Sequence, residues 1–237
     1  MTATPTAPPN DSPTELRASA GDVPLDEYHV TLCGHAITIL HTSAILTVDD
    51  EQRLATDGEA LHPYGLVLWP SAIALAHEIA ERADETRGRR VLEIGAGTGL
   101  PGIVAASLGA TVVQTDRHPA ALSLCRLNAE RNRTPRVEQR FGDWVLWDDA
   151  TRYDRIIGSD VLYAAAMHPH LSEIFDSNLA PGGRVLLSDP FRRTSFALLE
   201  SLEALGWTIT FGMWTVGGQA ARCAIGVYEL SRAGGPR

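Results

Sequence analysis

From residue 89 onward the chain alternates short runs of Val, Ile and Leu with segments of helical period, and that rhythm narrows the folds open to it. The strand-like runs are "RVLEI" (90–94), "TVVQTD" (111–116), "RVEQR" (136–140), "YDRIIGSD" (153–160) and "RVLLSDP" (184–190). Helical segments fall around 100–108 and over 118–132, 167–179 and 193–204. Apolar strands alternating with helices specify βαβ units and a parallel sheet covered on both faces. Two last strands, 207–215 and 221–231, flank Gly217-Gly218. So short a turn cannot make a parallel crossover, so this closing hairpin adds an antiparallel strand at or near the sheet edge. The expectation is an α/β, doubly wound, seven-stranded sheet, mostly parallel.

Upstream, "YHVTLCGHAITILHT" (28–42) reads as two strands about a Cys-Gly turn, an N-terminal β-hairpin extension. "LHPYGLVLWPS" (61–71) is apolar and ends in a helix opened by Pro70 or Ser71, with Ile73, Ala76, Ile79, Ala80 and Ala83 at helical spacing. Residues 1–24 are rich in Pro, Thr, Ala and Ser and lack apolar periodicity, so they are expected to form a disordered tail. The domain reading is therefore a tail over 1–24, a hairpin extension over 25–60 and one main domain over 61–237.

Composition excludes several classes. At 44% hydrophobic residues the 237-residue chain has ample material for a core, and no apolar run approaches the roughly 18 residues of a membrane span. The N-terminus lacks the charged and apolar regions of a secretory signal. Cys33, Cys125 and Cys223 have neither disulfide-framework nor zinc spacing. His168-Pro-His170 offers two ligands and no third, so no metal is expected. A cytoplasmic monomer is the expectation. The net charge of −9 argues against a general nucleic-acid surface. All 20 basic residues are Arg; genomic composition bias is the plain explanation, although a lysine-modifying enzyme without lysines also cannot modify itself.

The chemistry centres on "LEIGAGTGL" (92–100). Gly95, Gly97 and Gly99 follow a buried strand and precede a helix, where a glycine turn lets a ligand approach the backbone. A dinucleotide fingerprint, G-x-G-x-x-G, fails because Leu100 occupies its third glycine position. The spacing is instead E-x-G-x-G-x-G, led by Glu93. A carboxylate there repels a pyrophosphate and suits a cationic or amine-bearing ligand such as S-adenosylmethionine. At the end of the next strand Asp116 is placed to accept from ribose hydroxyls; taken alone it is equally a solvated strand-end carboxylate.

This stretch resembles motif I of the class I seven-strand, S-adenosylmethionine-dependent methyltransferases, whose sheet is Rossmann-like. More narrowly, "LEIGAGTGLPGIVAASLGATVVQTD" is similar to methyltransferase family 16, protein methyltransferases acting mainly on lysine. "PYGLVLWPS" is similar to the P-x-W-A-x-x-W-P-S segment of enzymes acting on the electron transfer flavoprotein β-subunit; Trp69, Pro70 and Ser71 match, and Gly65 stands at the first Trp. The resemblance implies that residues 61–237 form the methyltransferase domain, that Trp69, Glu93, Gly95, Ala96, Gly97, Gly99 and Asp116 bind the cofactor, and that Ser159 joins them; on sequence alone a core tryptophan is a nearly equal reading of Trp69. It places Asp143 and Trp144 of "FGDW" at the adenine; an acidic turn with a packed indole is the ordinary alternative. "SDVLY" fits the family's (D/E)-x-x-(Y/F) motif, with Asp160 and Tyr163 as catalytic residues.

The chemistry gives those two a reason. A lysine amine is mostly protonated at neutral pH. A carboxylate holds the incoming ammonium, and an aromatic wall desolvates it toward the neutral nucleophile. "FRR" (191–193) reads as a basic lip or a solvated helix start. The leading expectation is transfer of methyl from S-adenosylmethionine to a protein lysine, leaving S-adenosylhomocysteine. The alternatives are a small-molecule N- or O-methyltransferase and a non-catalytic cofactor-binding protein on the same fold.

Overall fold

A computed structural model describes residues 15–18, 21–44, 64–217 and 222–232. Seven strands form the central sheet: β7 (Arg90–Ile94), β8 (Thr111–Asp116), β9 (Val137–Phe141), β10 (Tyr153–Ser159), β11 (Leu179–Asp189), β12 (Trp207–Val216) and β13 (Cys223–Arg232). Their order is β12-β13-β11-β10-β7-β8-β9. The β9-β8-β7-β10-β11 block is parallel. β13 runs antiparallel between β11 and β12, so β12 is the edge. The closing hairpin thus does supply the antiparallel strand, one place in from the edge; Gly218 of its turn lies outside the described residues.

Three helices have a clear local reason to begin. Pro70 opens α1 (Pro70–Glu81), and Pro119 opens the fourth helix, α4 (Pro119–Arg131), in the first turn, where a missing N–H is harmless. Between them lie α2 (Ala83–Thr86) and α3 (Leu100–Ser107), the latter entered from Gly99 in the left-handed conformation (φ 78°). α5 (His168–Asn178) and α6 (Arg193–Ala204) complete the set. One face of the sheet packs Val91, Val112, Ile157, Leu186 and Val227 on α1 and α3. The other packs Leu92, Ile94, Ile156, Val185 and Leu187 on α5 and α6. Alternate strand residues feed opposite cores, as a sheet buried on both faces requires.

The N-terminal hairpin pairs β3 (Asp26–Leu32) with β4 (His35–His41), turning at Cys33 (φ 48°) and Gly34 (φ 78°), as expected. Two amide side chains one turn apart on α4 take the place of a neighbouring strand along β4. Asn132 exchanges bonds with Thr38 (2.9 and 2.7 Å) and Asn128 with Leu40 (2.7 and 3.0 Å). Within the expected tail over 1–24, only 15–18 and 21–24 are described, and these are ordered. β1 (Glu15–Ala18) and β2 (Gly21–Pro24) form an antiparallel hairpin, and Leu16 is buried with Leu40, Leu66 and Leu124. One leucine in a polar segment gives no periodicity, yet a ready apolar hollow is enough to hold it. Residues 1–14 and 45–63 lie outside the described set.

Two short parallel strands, β5 (Ser43–Ala44) and β6 (Val67–Leu68), bring residues 64–69 up to the sheet. Among the described residues no helix is long and apolar enough to cross a membrane. The three cysteines form no disulfide.

Candidate active site

The expected residues stand at the carboxyl ends of β7, β8, β9 and β10, with Trp69 just before α1; ligands of such sheets bind at those ends. Gly95 (φ 58°), Gly97 (φ 56°) and Gly99 (φ 78°) all need left-handed backbone. Space demands glycine as well. A Cβ on Gly95 would stand 2.9 Å from Val161 and 3.2 Å from the Trp144 indole, and one on Gly97 would stand 3.2 Å from the Gly65 carbonyl. The glycine turn is therefore flanked by "FGDW" on one side and "YGL" on the other. Trp69 donates its indole N–H to the Tyr64 carbonyl (3.1 Å) and stacks on Tyr64, holding that segment in place.

Glu93 departs from expectation. Its carboxylate is 1% exposed and taken up beneath the turn by Gly102 and Gln114. Gly102 N–H donates to Oε1 (3.1 Å) and Gln114 Nε2 donates to Oε2 (2.8 Å). Gln114 also donates to the Gly99 carbonyl (3.0 Å), so Glu93 and Gln114 brace the loop from inside. Burial pushes the Glu93 carboxyl up to about 7, against the lowering effect of its two donors. The signal missed in the sequence is Gln114, a polar residue in the apolar run "TVVQTD" that finds its partners in Glu93 and Gly99.

Asp116 stands where expected, at the end of β8. Its Oδ2 accepts from Gly97 N–H (3.1 Å) and its Oδ1 from His118 N–H (2.9 Å); burial raises its carboxyl despite both bonds. Ala96 is buried and donates its N–H to the Thr115 carbonyl (2.9 Å). Asp143 accepts from Val145 N–H (2.9 Å), fixing the turn that carries Trp144, and lines a small cleft of 180 Å³ with Gly142 and Trp147.

The donors present decide between ligands. In a dinucleotide site the first-turn amides of the helix after the glycines face a pyrophosphate. Here the Gly102 amide is bonded to Glu93 from below, and the strand-end group beside the turn is a carboxylate. With that amide taken, a pyrophosphate loses one of its donors, while the Asp116 carboxylate is placed to receive the ribose hydroxyls of a nucleoside.

Ser159 ends β10, and Asp160 follows in left-handed backbone (φ 56°), uncommon outside glycine though Asp tolerates it. Its N–H donates to the Ser188 carbonyl (2.8 Å). The side chain is only 8% exposed. Oδ1 lies 2.9 Å from an Arg192 guanidinium nitrogen, and Oδ2 accepts from the Ser71 hydroxyl (3.4 Å). Ser188 in turn donates to the Ser71 carbonyl (2.8 Å), so the start of α1 is tied to two strand ends. Tyr163 is 55% exposed. Sequence reading missed Ser71 and Asp189 as neighbours of Asp160 and left Arg192 as part of a lip. The spacing Asp189-Pro-Phe-Arg192 at a strand end was the available signal. His168 is buried against the Leu162 carbonyl (3.1 Å), and no cluster of three metal-binding side chains exists among the described residues.

A seven-stranded sheet in this order, with a glycine turn after β7 and carboxylates at the ends of β8 and β10, defines a class I methyltransferase fold. A glycopeptide N-methyltransferase, MtfA, superposes with a TM-score of 0.57 over 69% of this chain and 96% of its own at 16% identity, a likeness of fold alone. The family model described as lysine methyltransferase matches residues 48–197, and the chain belongs to that family. The zebrafish (Danio rerio) protein N-lysine methyltransferase METTL21A is 35% identical over 162 residues, 64% of this chain and 72% of that protein. The mouse (Mus musculus) histone-arginine methyltransferase METTL23 is 36% identical over 161 residues, 64% of this chain and 59% of that protein.

Proposed function

We propose that this site binds S-adenosylmethionine and that the chain methylates the ε-amine of a lysine in a protein acceptor. The observation that supports the cofactor is the pairing of Asp116 with the glycine turn, while Glu93 occupies the amide a pyrophosphate needs. In this reading Asp116 receives the ribose hydroxyls, Gly95, Ala96, Gly97 and Gly99 leave room for the methionine end, and Ser159 and Trp69 line the same cleft. Asp143 and Trp144 take the adenine. Glu93 serves as a positioning residue. The cofactor supplies a methyl group already activated by its sulfonium.

The chain's own part is alignment and proton handling. Asp160 holds the acceptor cation at the strand end, takes or passes its proton to water, and leaves a lone pair facing the donor. Tyr163 walls the amine from solvent.

Calorimetry tests the cofactor: S-adenosylmethionine binds, NAD does not, and Asp116→Ala weakens binding by about 1–3 kcal/mol, the scale of lost buried hydrogen bonds. Asp160→Asn keeps cofactor affinity and slows transfer at least about a hundredfold, within the usual range for a removed general base. Transfer at the wild-type rate would remove Asp160 from the mechanism. A second reading, a guanidine acceptor, is favoured by the likeness to the histone-arginine enzyme and by the guanidinium that Asp160 already holds. Mass spectrometry of the labelled acceptor separates lysine, arginine and free metabolite.

A further inference from the structure

Among the described residues, two carboxylates and one guanidinium meet at the ends of β10 and β11. Asp160 Oδ1 is 2.9 Å and Asp189 Oδ2 is 3.8 Å from the same Arg192 nitrogen. Asp189 is fully buried, and 27% of the Arg192 side chain is exposed. The Asp160 contact has the distance of an ion pair but not the alignment of a hydrogen bond. Arg192 is also held through its backbone. Its backbone N–H donates to Asp189 Oδ1 (2.7 Å), which starts α6.

We propose that Arg192 is an internal stand-in for the acceptor: its guanidinium fills the cation place on Asp160, and an acceptor enters by displacing it. This rests on the methyltransferase reading above, since that reading makes Asp160 the acceptor's carboxylate. A long, flexible side chain held by ion-pair distance and imperfect alignment is suited to swing outward, where part of it already meets water. Arg192 is then a specificity-determining residue. Only an acceptor whose cation competes with a tethered guanidinium gains the site, which raises the threshold against free amines and favours acceptors with further contacts to the protein surface.

Two experiments test this. The first uses n-butylammonium, a lysine side chain without its backbone, and no cofactor. Calorimetry should show it binding Arg192→Ala at least tenfold more tightly than the wild type, with the gain abolished in the Arg192→Ala/Asp160→Asn double variant. Arg192→Gln repeats the measurement should the alanine variant fold poorly. Equal or weaker binding by a folded variant overturns the proposal.

The second exploits the absence of lysine from the chain. Arg192→Lys places one ε-amine on Asp160. With S-adenosylmethionine, its ammonium gives a proton to Asp160 or water, the nitrogen lone pair forms the N–CH3 bond, and the C–S pair returns to sulfur, giving the neutral thioether. Peptide mass spectrometry should then find methyl at position 192 and at no other side-chain amine. A variant that binds the cofactor and stays unmethylated at position 192 counts against the stand-in. If instead calorimetry shows no cofactor binding by the wild type, the methyltransferase reading itself fails, while the butylammonium result still judges the cation place.

Discussion

At the scale of single residues, the most informative group is Glu93. The sequence shows an acidic residue before three glycines and a buried Gln one strand away; it does not show which way the carboxylate turns, because both directions satisfy the same spacing. The structure turns it inward, and the consequence is a pH dependence of stability. Its carboxyl is raised by burial from 4.5 to about 7. A group with a raised folded value binds its proton more tightly in the native state, so its contribution is complete below about 4.5 and is lost as pH rises through about 7. Denaturant unfolding of the wild type and Glu93→Gln at pH 5 and pH 8 should therefore show the wild type losing about 2–3 kcal/mol relative to the variant, since each pH unit between the unfolded and folded values is worth about 1.4 kcal/mol. A constant difference between the two pH values would mean that the two amide donors hold the carboxylate ionised throughout.

At the scale of elements, the strand and helix succession was legible because its apolar periods are strong and many of its boundaries carry Pro, Gly or Asp. β8 and α6 have the bounds the pattern specifies. The attachment of the N-terminal hairpin was not legible, since it depends on asparagine side chains that read as ordinary helix-surface residues. Asn128 joins three points: the Leu40 N–H, the Leu40 carbonyl and the Thr98 carbonyl (2.9 Å) within the glycine turn. It is fully buried, so Asn128→Ala strands three backbone groups and should cost about 2–4 kcal/mol, each orphaned group being worth about 1–3 kcal/mol before relaxation. Because Thr98 lies in the turn, the same variant should also weaken S-adenosylmethionine binding, whereas Asn132→Ala, which touches only the hairpin and its own helix, should lower stability alone. Leu16→Ala tests the ordered N-terminal segment: with its side chain buried against Leu40 and Leu66, melting should report a loss of about 2 kcal/mol, the low end for a buried leucine.

At the scale of the whole molecule, the mostly parallel sheet closed by an antiparallel strand was legible, while the order of its strands and the pairing of Asp160 with Arg192 were not. Crossovers place strand ends together wherever loops vary, but which loop side chain reaches which carboxylate depends on backbone turns such as those at Asp160 (φ 56°) and Phe191 (φ 61°), which no periodicity encodes. What the sequence does encode globally is charge. Twenty-nine acidic against 20 basic side chains leave −9, and among them Asp160 and Asp189 set two carboxylates beside the Arg192 guanidinium at the proposed acceptor place. Such a field attracts a cationic acceptor over a distance set by the Debye length, which falls from about 30 Å at 0.01 M salt to about 10 Å at 0.1 M. The field acts on encounter and not on the aligned complex. With poly-L-lysine as acceptor, kcat/KM should fall about tenfold across that salt range, on the scale of steered association, while kcat changes by less than about twofold. A kcat that falls in parallel would place the salt effect on the Asp160 site itself, and a flat kcat/KM would show that acceptors are recognised without help from the chain's net charge.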